Sequence, residues 1–167
     1  MLFVKKSTLP RAGKGLFTDS LIKKGAKVVE YIGEIIPWSE AEKRDDKGKG
    51  GYVYYITKYK CIDAYEFPDA IARYANDARG VGRKSKTRNN SFYATRGGRA
   101  YIVASRNIKP GEEIFVWYGE DYWKEWLESV DALKKKKRAE ARAKAAHKKV
   151  KIEMAPHHHP KRVAKSQ

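Results

Sequence analysis

A β-rich α+β fold is predicted by two features of residues 1–128: short apolar runs rich in Val, Ile and Tyr, and Gly and Pro punctuation at spacings typical of small sheets. Residues 2–5 and 15–18 are expected as the first two strands, joined through Gly13. Residues 27–36 read as a third, continuous strand. Residues 39–44 fit a helical turn or two, with Ser39 as N-cap and Glu42 three positions on in capping-box spacing. Residues 52–57 and 60–64 are expected to pair as a hairpin, and residues 70–75 to form a short helix. Arg96-Gly97-Gly98 reads as the turn between strands at 91–95 and 99–104, because two glycines supply the positive φ of a tight turn. A last short strand is expected at 114–117. Residues 122–133 close the domain as a helix carrying Trp123, Trp126 and Leu127 on adjacent faces.

The charge is unevenly spread. The chain has 167 residues, 37 Lys+Arg, 20 Asp+Glu and a net charge of +17. Residues 129–167 carry +10 of this, leaving +7 for residues 1–128. The expected organisation is therefore a folded domain over 1–128 and a basic, Ala/Lys-rich tail over 129–167, partly helical or disordered. The tail opens with Lys134, Lys135, Lys136, Lys137 and Arg138, and it lacks an apolar stripe that would pack a helix, so folding is expected only on a polyanion. Two readings stay open for it: a solubilising end, or attraction to DNA, RNA or acidic proteins through phosphate and carboxylate charge. The basic cluster Arg79, Arg83, Lys84, Lys86 and Arg88 is expected on a surface loop. His157, His158 and His159 lie between prolines and read as solvated tail, so no metal is assigned. One cysteine, Cys61, excludes an intramolecular disulfide and a cysteine-cage zinc site. No apolar run approaches the roughly 18 residues of a membrane helix. The charged start Met-Leu-Phe-Val-Lys-Lys is unlike a secretory signal, and the chain reads as intracellular.

Several motifs occur in a fixed order. Gly13-Lys14-Gly15 precedes the apolar pair Leu16-Phe17 and taken alone is a turn. Tyr31-Ile32-Gly33-Glu34 taken alone is part of a half-buried strand. Asp63-Ala64, Arg73-Tyr74-Ala75-Asn76, Arg106-Asn107-Ile108-Lys109-Pro110-Gly111-Glu112-Glu113 and Tyr118 follow. In this order the motifs resemble those of the SET-domain family of protein-lysine methyltransferases, over roughly residues 3–128. The Val116-Trp117-Tyr118-Gly119 wording is similar to the PR subfamily, and the lack of flanking zinc-binding cysteines is similar to small stand-alone members. The chain departs from the family in having Asp77 where His usually follows the motif asparagine, and in the 13 residues that separate Asn76 from Asn90.

The resemblance implies a fold of small sheets around a threaded, pseudoknot-like segment, with S-adenosylmethionine as methyl donor and a target lysine on a protein substrate. It implies that Tyr118 is catalytic, its hydroxyl beside the reacting methyl and nitrogen. Lys14, Gly15, Leu16 and Phe17 would touch the cofactor through their backbone, Asn76 would hold its amino-acid end, Asp77 would contribute its backbone, and Trp123 would cover the adenine. Tyr52, Tyr54, Tyr55 and Val116 would line the lysine channel, while packing in a hairpin is the alternative for the tyrosines. Val116 stands where relatives often have Phe or Tyr, which implies room for more than one methyl. The expected protein is a monomer without membrane contact. It would be cytoplasmic or nucleoid-associated in a bacterium and nuclear in a nucleated cell. The alternative is a catalytically weak SET-like binding module recruited by the basic tail, motivated by Asp77 and the altered loop. A general nucleic-acid-binding protein has only the charge in its favour.

Overall fold

The computed structural model describes residues 1–80 and 87–153. Arg83, Lys84 and Lys86 of the basic loop, the three adjacent histidines and the basic pair Lys161-Arg162 lie outside the described residues. The chain divides into two compact units, Met1–Tyr118 and Gly119–Gln167.

Among the described residues, the first unit contains three small antiparallel sheets. Strands β1 (Leu2–Lys6) and β2 (Lys14–Thr18) form one of them. Strand β3 (Lys27–Tyr31) pairs with β8 (Arg99–Ala104), which pairs with β7 (Ser91–Arg96). In the third, β6 (Lys60–Asp63) lies between β4 (Glu34–Ile36) and β5 (Val53–Thr57). The β7–β8 hairpin closes at Gly97 and Gly98, both at positive φ, as the turn chemistry predicts. A helix, α1 (Trp38–Asp46), buries Ala41 with Ile36 and Cys61. The main core gathers Leu16, Tyr31, Ile62, Ile102, Ile108, Ile114 and Val116 from all three sheets and the segments between them.

Four local expectations change. The strand expected over 27–36 is two strands in different sheets, because at Gly33 the chain meets the backbone of Asp63 so closely that any Cβ would collide with it. Helix α1 begins at Trp38, with Pro37 as its N-cap and no side-chain capping bond. The Trp38 N–H donates to the Lys58 carbonyl at 3.0 Å, so the neighbouring hairpin takes the place expected of Ser39. Residues 71–74 form a 3-10 turn rather than an α-helix. Residues 114–117 form no ladder strand; Phe115 makes one isolated bridge, to Asn76, and Glu113 just before the segment makes another, to Phe17.

The second unit contains α2 (Glu120–Glu153), which continues well beyond residue 133. Ala, Lys, Arg and Glu are good helix formers, and their summed propensity carries the helix through the basic run without an apolar stripe. Residues 134–144 are exposed along it.

Candidate active site

The site is organised by the segment that follows Gly111, whose backbone bonds run to three distant parts of the first unit. The Ile114 N–H donates to the Leu16 carbonyl at 2.8 Å, and the Val116 N–H donates to the Asn76 carbonyl at 2.9 Å. The Phe115 carbonyl accepts the Asn90 and Ser91 N–H groups and the Ser91 hydroxyl. Asn90, 1% exposed, completes the grip. Its Oδ1 accepts the Phe115 N–H at 2.9 Å, and its Nδ2 donates to the Glu113 carbonyl at 2.7 Å. This amide thus does for the segment what a neighbouring strand would do, as donor and acceptor together, which an aspartate could not.

Glu113 is a heavily engaged buried carboxylate. It is 4% exposed, and it accepts the Ser7 hydroxyl at 2.6 Å, the Thr8 N–H at 2.7 Å, the Thr8 hydroxyl at 2.6 Å and Asn76 Nδ2 at 3.1 Å. It therefore ties the turn after β1 to the motif asparagine. Gly15 passes directly against this carboxylate, and a Cβ there would collide with Glu113 Oε1. The second glycine of Gly13-Lys14-Gly15 is required for that close approach, whereas Gly13 is required for its φ of +68°.

Asn76 Nδ2 also donates to the Lys14 carbonyl at 2.9 Å. Both neighbours of this amide nitrogen are acceptors, so its orientation is fixed and Oδ1 is the group left to meet a ligand. Lys14 is exposed, while Gly15, Leu16 and Phe17 are buried, and Phe17 stacks on Phe3 at 5.8 Å between ring centroids. The Leu16 carbonyl is engaged by Ile114. Near them, the Arg73 guanidinium lies 3.8 Å from the centroid of the Tyr52 ring, and its Nε is buried without a hydrogen-bond partner.

Tyr118 is tied twice to residues 75–77. Its hydroxyl donates to the Ala75 carbonyl at 2.9 Å, and its N–H donates to Asp77 Oδ2 at 3.0 Å. Tyr118 and Val116 both pack against the main core, and Val116 is completely buried. Tyr31, Tyr54 and Tyr93 form an aromatic cluster, with centroids 6.0 Å apart for Tyr31 and Tyr54, 5.8 Å for Tyr31 and Tyr93, and 4.9 Å for Tyr54 and Tyr93. Burial pushes the Tyr93 phenol well above the usual tyrosine range, and Tyr31, Tyr118, Tyr54 and Asp77 add to the shift electrostatically. Burial likewise raises Tyr31. These two phenols stay neutral at any pH near neutrality.

The structure separates the three tyrosines expected along the channel. Tyr54 joins the cluster, and Tyr52 packs with Tyr65 and Arg73. Tyr55, 53% exposed, points to the other face of its strand and packs edge-to-face on Trp38. Trp123 lies in α2, in the second unit, edge-to-face with Tyr122 at 5.3 Å. Sequence reasoning missed Tyr31, Tyr93, Arg73, Asn90 and Glu113 as site residues. The period-2 pattern of β7 offered a signal for Tyr93, and position inside a motif offered one for Tyr31, Arg73 and Glu113.

The raised phenols make a prediction. An acid whose folded-state pKa lies above its unfolded value stabilises the fold below about pH 10, and that contribution is lost as pH rises further. Tyr93→Phe should therefore move alkaline unfolding, followed by circular dichroism, to higher pH. An unchanged midpoint would mean that Tyr93 ionises freely in the fold.

A family model described as SET domain matches residues 13–119. The N-lysine methyltransferase KMT5A-A of Danio rerio is 32% identical over 117 residues, covering 65% of this chain and 33% of the relative. The histone-lysine N-methyltransferase EZH2 of Chaetomium thermophilum is 31% identical over 127 residues, covering 70% of this chain and 8% of the relative. A crystal structure of an active polycomb repressive complex 2 in the stimulated state superposes with a TM-score of 0.59 at 28% identity, over 72% of this chain and 15% of that one. The chain thus spans well under half the length of these curated relatives. Among the described residues, no group of three or more His, Cys, Asp or Glu could hold a metal ion, and no helix is long and apolar enough to cross a membrane.

Proposed function

Because the chain belongs to the SET-domain family, we propose that it is a protein-lysine N-methyltransferase using S-adenosylmethionine, with Tyr118 as its catalytic residue. The single observation carrying this reading is that hydrogen bonds join residues 14, 73–77 and 113–118, with the Tyr118 hydroxyl on the Ala75 carbonyl and Tyr118 acting electrostatically on Tyr93 of the aromatic cluster. The residues present suit the cofactor. Arg73 has a buried donor without a hydrogen-bond partner, matching a carboxylate, and the Asn76 side-chain oxygen, left over once its nitrogen is engaged, matches an ammonium. Lys14 lies alongside, exposed, in the segment that Asn76 holds by its carbonyl.

When bound, S-adenosylmethionine supplies a methyl on a positively charged sulfur, open to in-line attack by a neutral amine. Positioning and desolvation then carry most of the work. Tyr31, Tyr54 and Tyr93 exclude water from the amine without adding charge, and desolvation disfavours its ammonium form. Tyr118 keeps its proton on the Ala75 carbonyl, so its oxygen faces the N–H groups of the lysine as an acceptor. By its place two residues before Tyr118, Val116 would limit the space beside the nitrogen less than an aromatic residue, which favours more than one methyl. That preference rests on place in the sequence, the side chain itself being wholly buried.

The substrate class is a basic, nucleic-acid-associated protein, met by a monomer whose α2 carries Lys134 to Arg138 in an exposed run. Removing residues 134–167 should leave cofactor affinity intact and weaken DNA binding. The logarithmic salt slope should fall by about 0.9 for each phosphate that the shortened chain no longer neutralises. Binding measured at several salt concentrations checks this, and an unchanged slope would assign the phosphate-binding groups to the first unit.

The function is tested by calorimetric titration with S-adenosylmethionine, followed by transfer of labelled methyl to basic proteins. Binding with incorporation is expected. Absence of both binding and incorporation would overturn the reading, and binding without transfer would favour a catalytically weak module.

A further inference from the structure

The geometry points to the Asp77 side chain as a positioning residue that sets where the Tyr118 hydroxyl stands, an inference that rests on the methyltransferase reading for its consequence in catalysis. Asp77 is 3% exposed, and its two oxygens face different stretches of chain. Oδ2 accepts the Tyr118 N–H at 3.0 Å. Oδ1 accepts the Arg79 N–H at 2.9 Å and Asn89 Nδ2 at 3.2 Å, while Asn89 Oδ1 accepts the Ala78 N–H at 2.8 Å. One carboxylate therefore collects donors from both ends of the insertion between Asn76 and Asn90 and from the segment that bears the catalytic tyrosine.

Tyr118 is held at two points by a stretch of three residues, at its N–H by Asp77 and at its hydroxyl by Ala75. Between them, the Val116 N–H donates to the Asn76 carbonyl. A tyrosine ring is a rigid lever, so the backbone position that Asp77 fixes is transmitted to the hydroxyl. The family's usual histidine offers at most one acceptor nitrogen and could not take these three donors. Asp77, Asn89 and the altered spacing act as one device: the insertion brings Asn89 in to orient the carboxylate, and the carboxylate orients Tyr118.

The test uses Asp77→Asn and Asn89→Ala, each alone and combined with Tyr118→Phe, in the full chain. An asparagine has one acceptor oxygen, and its amide nitrogen would face a donor on one side. Asp77→Asn should lower kcat about tenfold while KM for the cofactor stays within about twofold, since displacing a reacting group by a fraction of an ångström is costly. Hydrogen exchange at the Tyr118 amide should accelerate. In the Tyr118→Phe background the same substitution should cost less than about twofold, because the hydroxyl it positions is gone. Asn89→Ala should follow the same pattern with a smaller loss, and it keeps the test decisive where Asp77→Asn does not fold. Equal losses in both backgrounds, or unchanged exchange at the Tyr118 amide, would overturn the proposal. A parent chain that binds no cofactor and transfers no methyl would overturn the activity reading instead, and the amide exchange would then decide the positioning role alone.

Discussion

Glu113→Ala is expected to be the most destabilising single substitution at the site. It removes the acceptor shared by the Ser7 and Thr8 hydroxyls, the Thr8 N–H and Asn76 Nδ2. A buried donor left without a partner costs about 1–3 kcal/mol, and some of these donors can turn toward water. A total loss of about 3 kcal/mol or more is expected, lowering the melting temperature by on the order of 10 °C. Cofactor affinity should fall with it, because Asn76 loses one of the two acceptors that orient its amide. Differential scanning calorimetry checks the first effect, and titration below the melting range checks the second. A melting temperature within a degree or two of the parent would mean that water replaces the carboxylate and that the network is not what holds the site together.

Tyr118→Phe is expected to have the largest effect on rate. The substitution keeps the ring and its packing against the core, and deletes only the hydroxyl that donates to the Ala75 carbonyl. Methyl transfer should slow about tenfold or more, each tenfold corresponding to about 1.4 kcal/mol of lost transition-state stabilisation. Stability should fall by about 1–3 kcal/mol, because the carbonyl of buried Ala75 loses this donor. Cofactor affinity should change little, because Arg73, Asn76 and Lys14 remain. Transfer at the parent rate by a folded variant would remove Tyr118 from the catalytic role and make Tyr54, from the cluster with Tyr31 and Tyr93, the next to test.

What is legible in the sequence is local. The β7–β8 hairpin follows from alternation and from two adjacent glycines, and the β5–β6 pairing follows from two apolar runs close together in the chain. Segments whose form depends on distant partners are not legible. Residues 114–117 have the apolar composition of a strand, yet their hydrogen bonds go to Leu16, Asn76, Asn90 and Ser91, and nothing nearby in sequence signals that. Gly33 divides one apparent strand into two because of Asp63, some thirty residues away. The site divides in the same manner. The order of the motifs points to Tyr118, Gly15 and Asn76, and the structure brings the segments bearing them together. Strand alternation alone warns that Tyr54 and Tyr55 face opposite ways. The carboxylate roles of Glu113 and Asp77 can be seen only once their donors, which come from four separate segments, are in view. In α2, propensity favours helix throughout the basic run and outweighs the lack of an apolar stripe.

The central claim is that the hydroxyl of Tyr118, held by residues 75–77, serves methyl transfer to lysine. Tandem mass spectrometry of a lysine-containing basic protein, incubated with S-adenosylmethionine and either the parent chain or Tyr118→Phe, tests this most directly. The expected result is methyl groups on lysine side-chain nitrogen with the parent and at least about tenfold fewer with the variant at equal time. Substrate lysines left unmodified by a folded parent chain that binds the cofactor, or equal modification by both proteins, would contradict it.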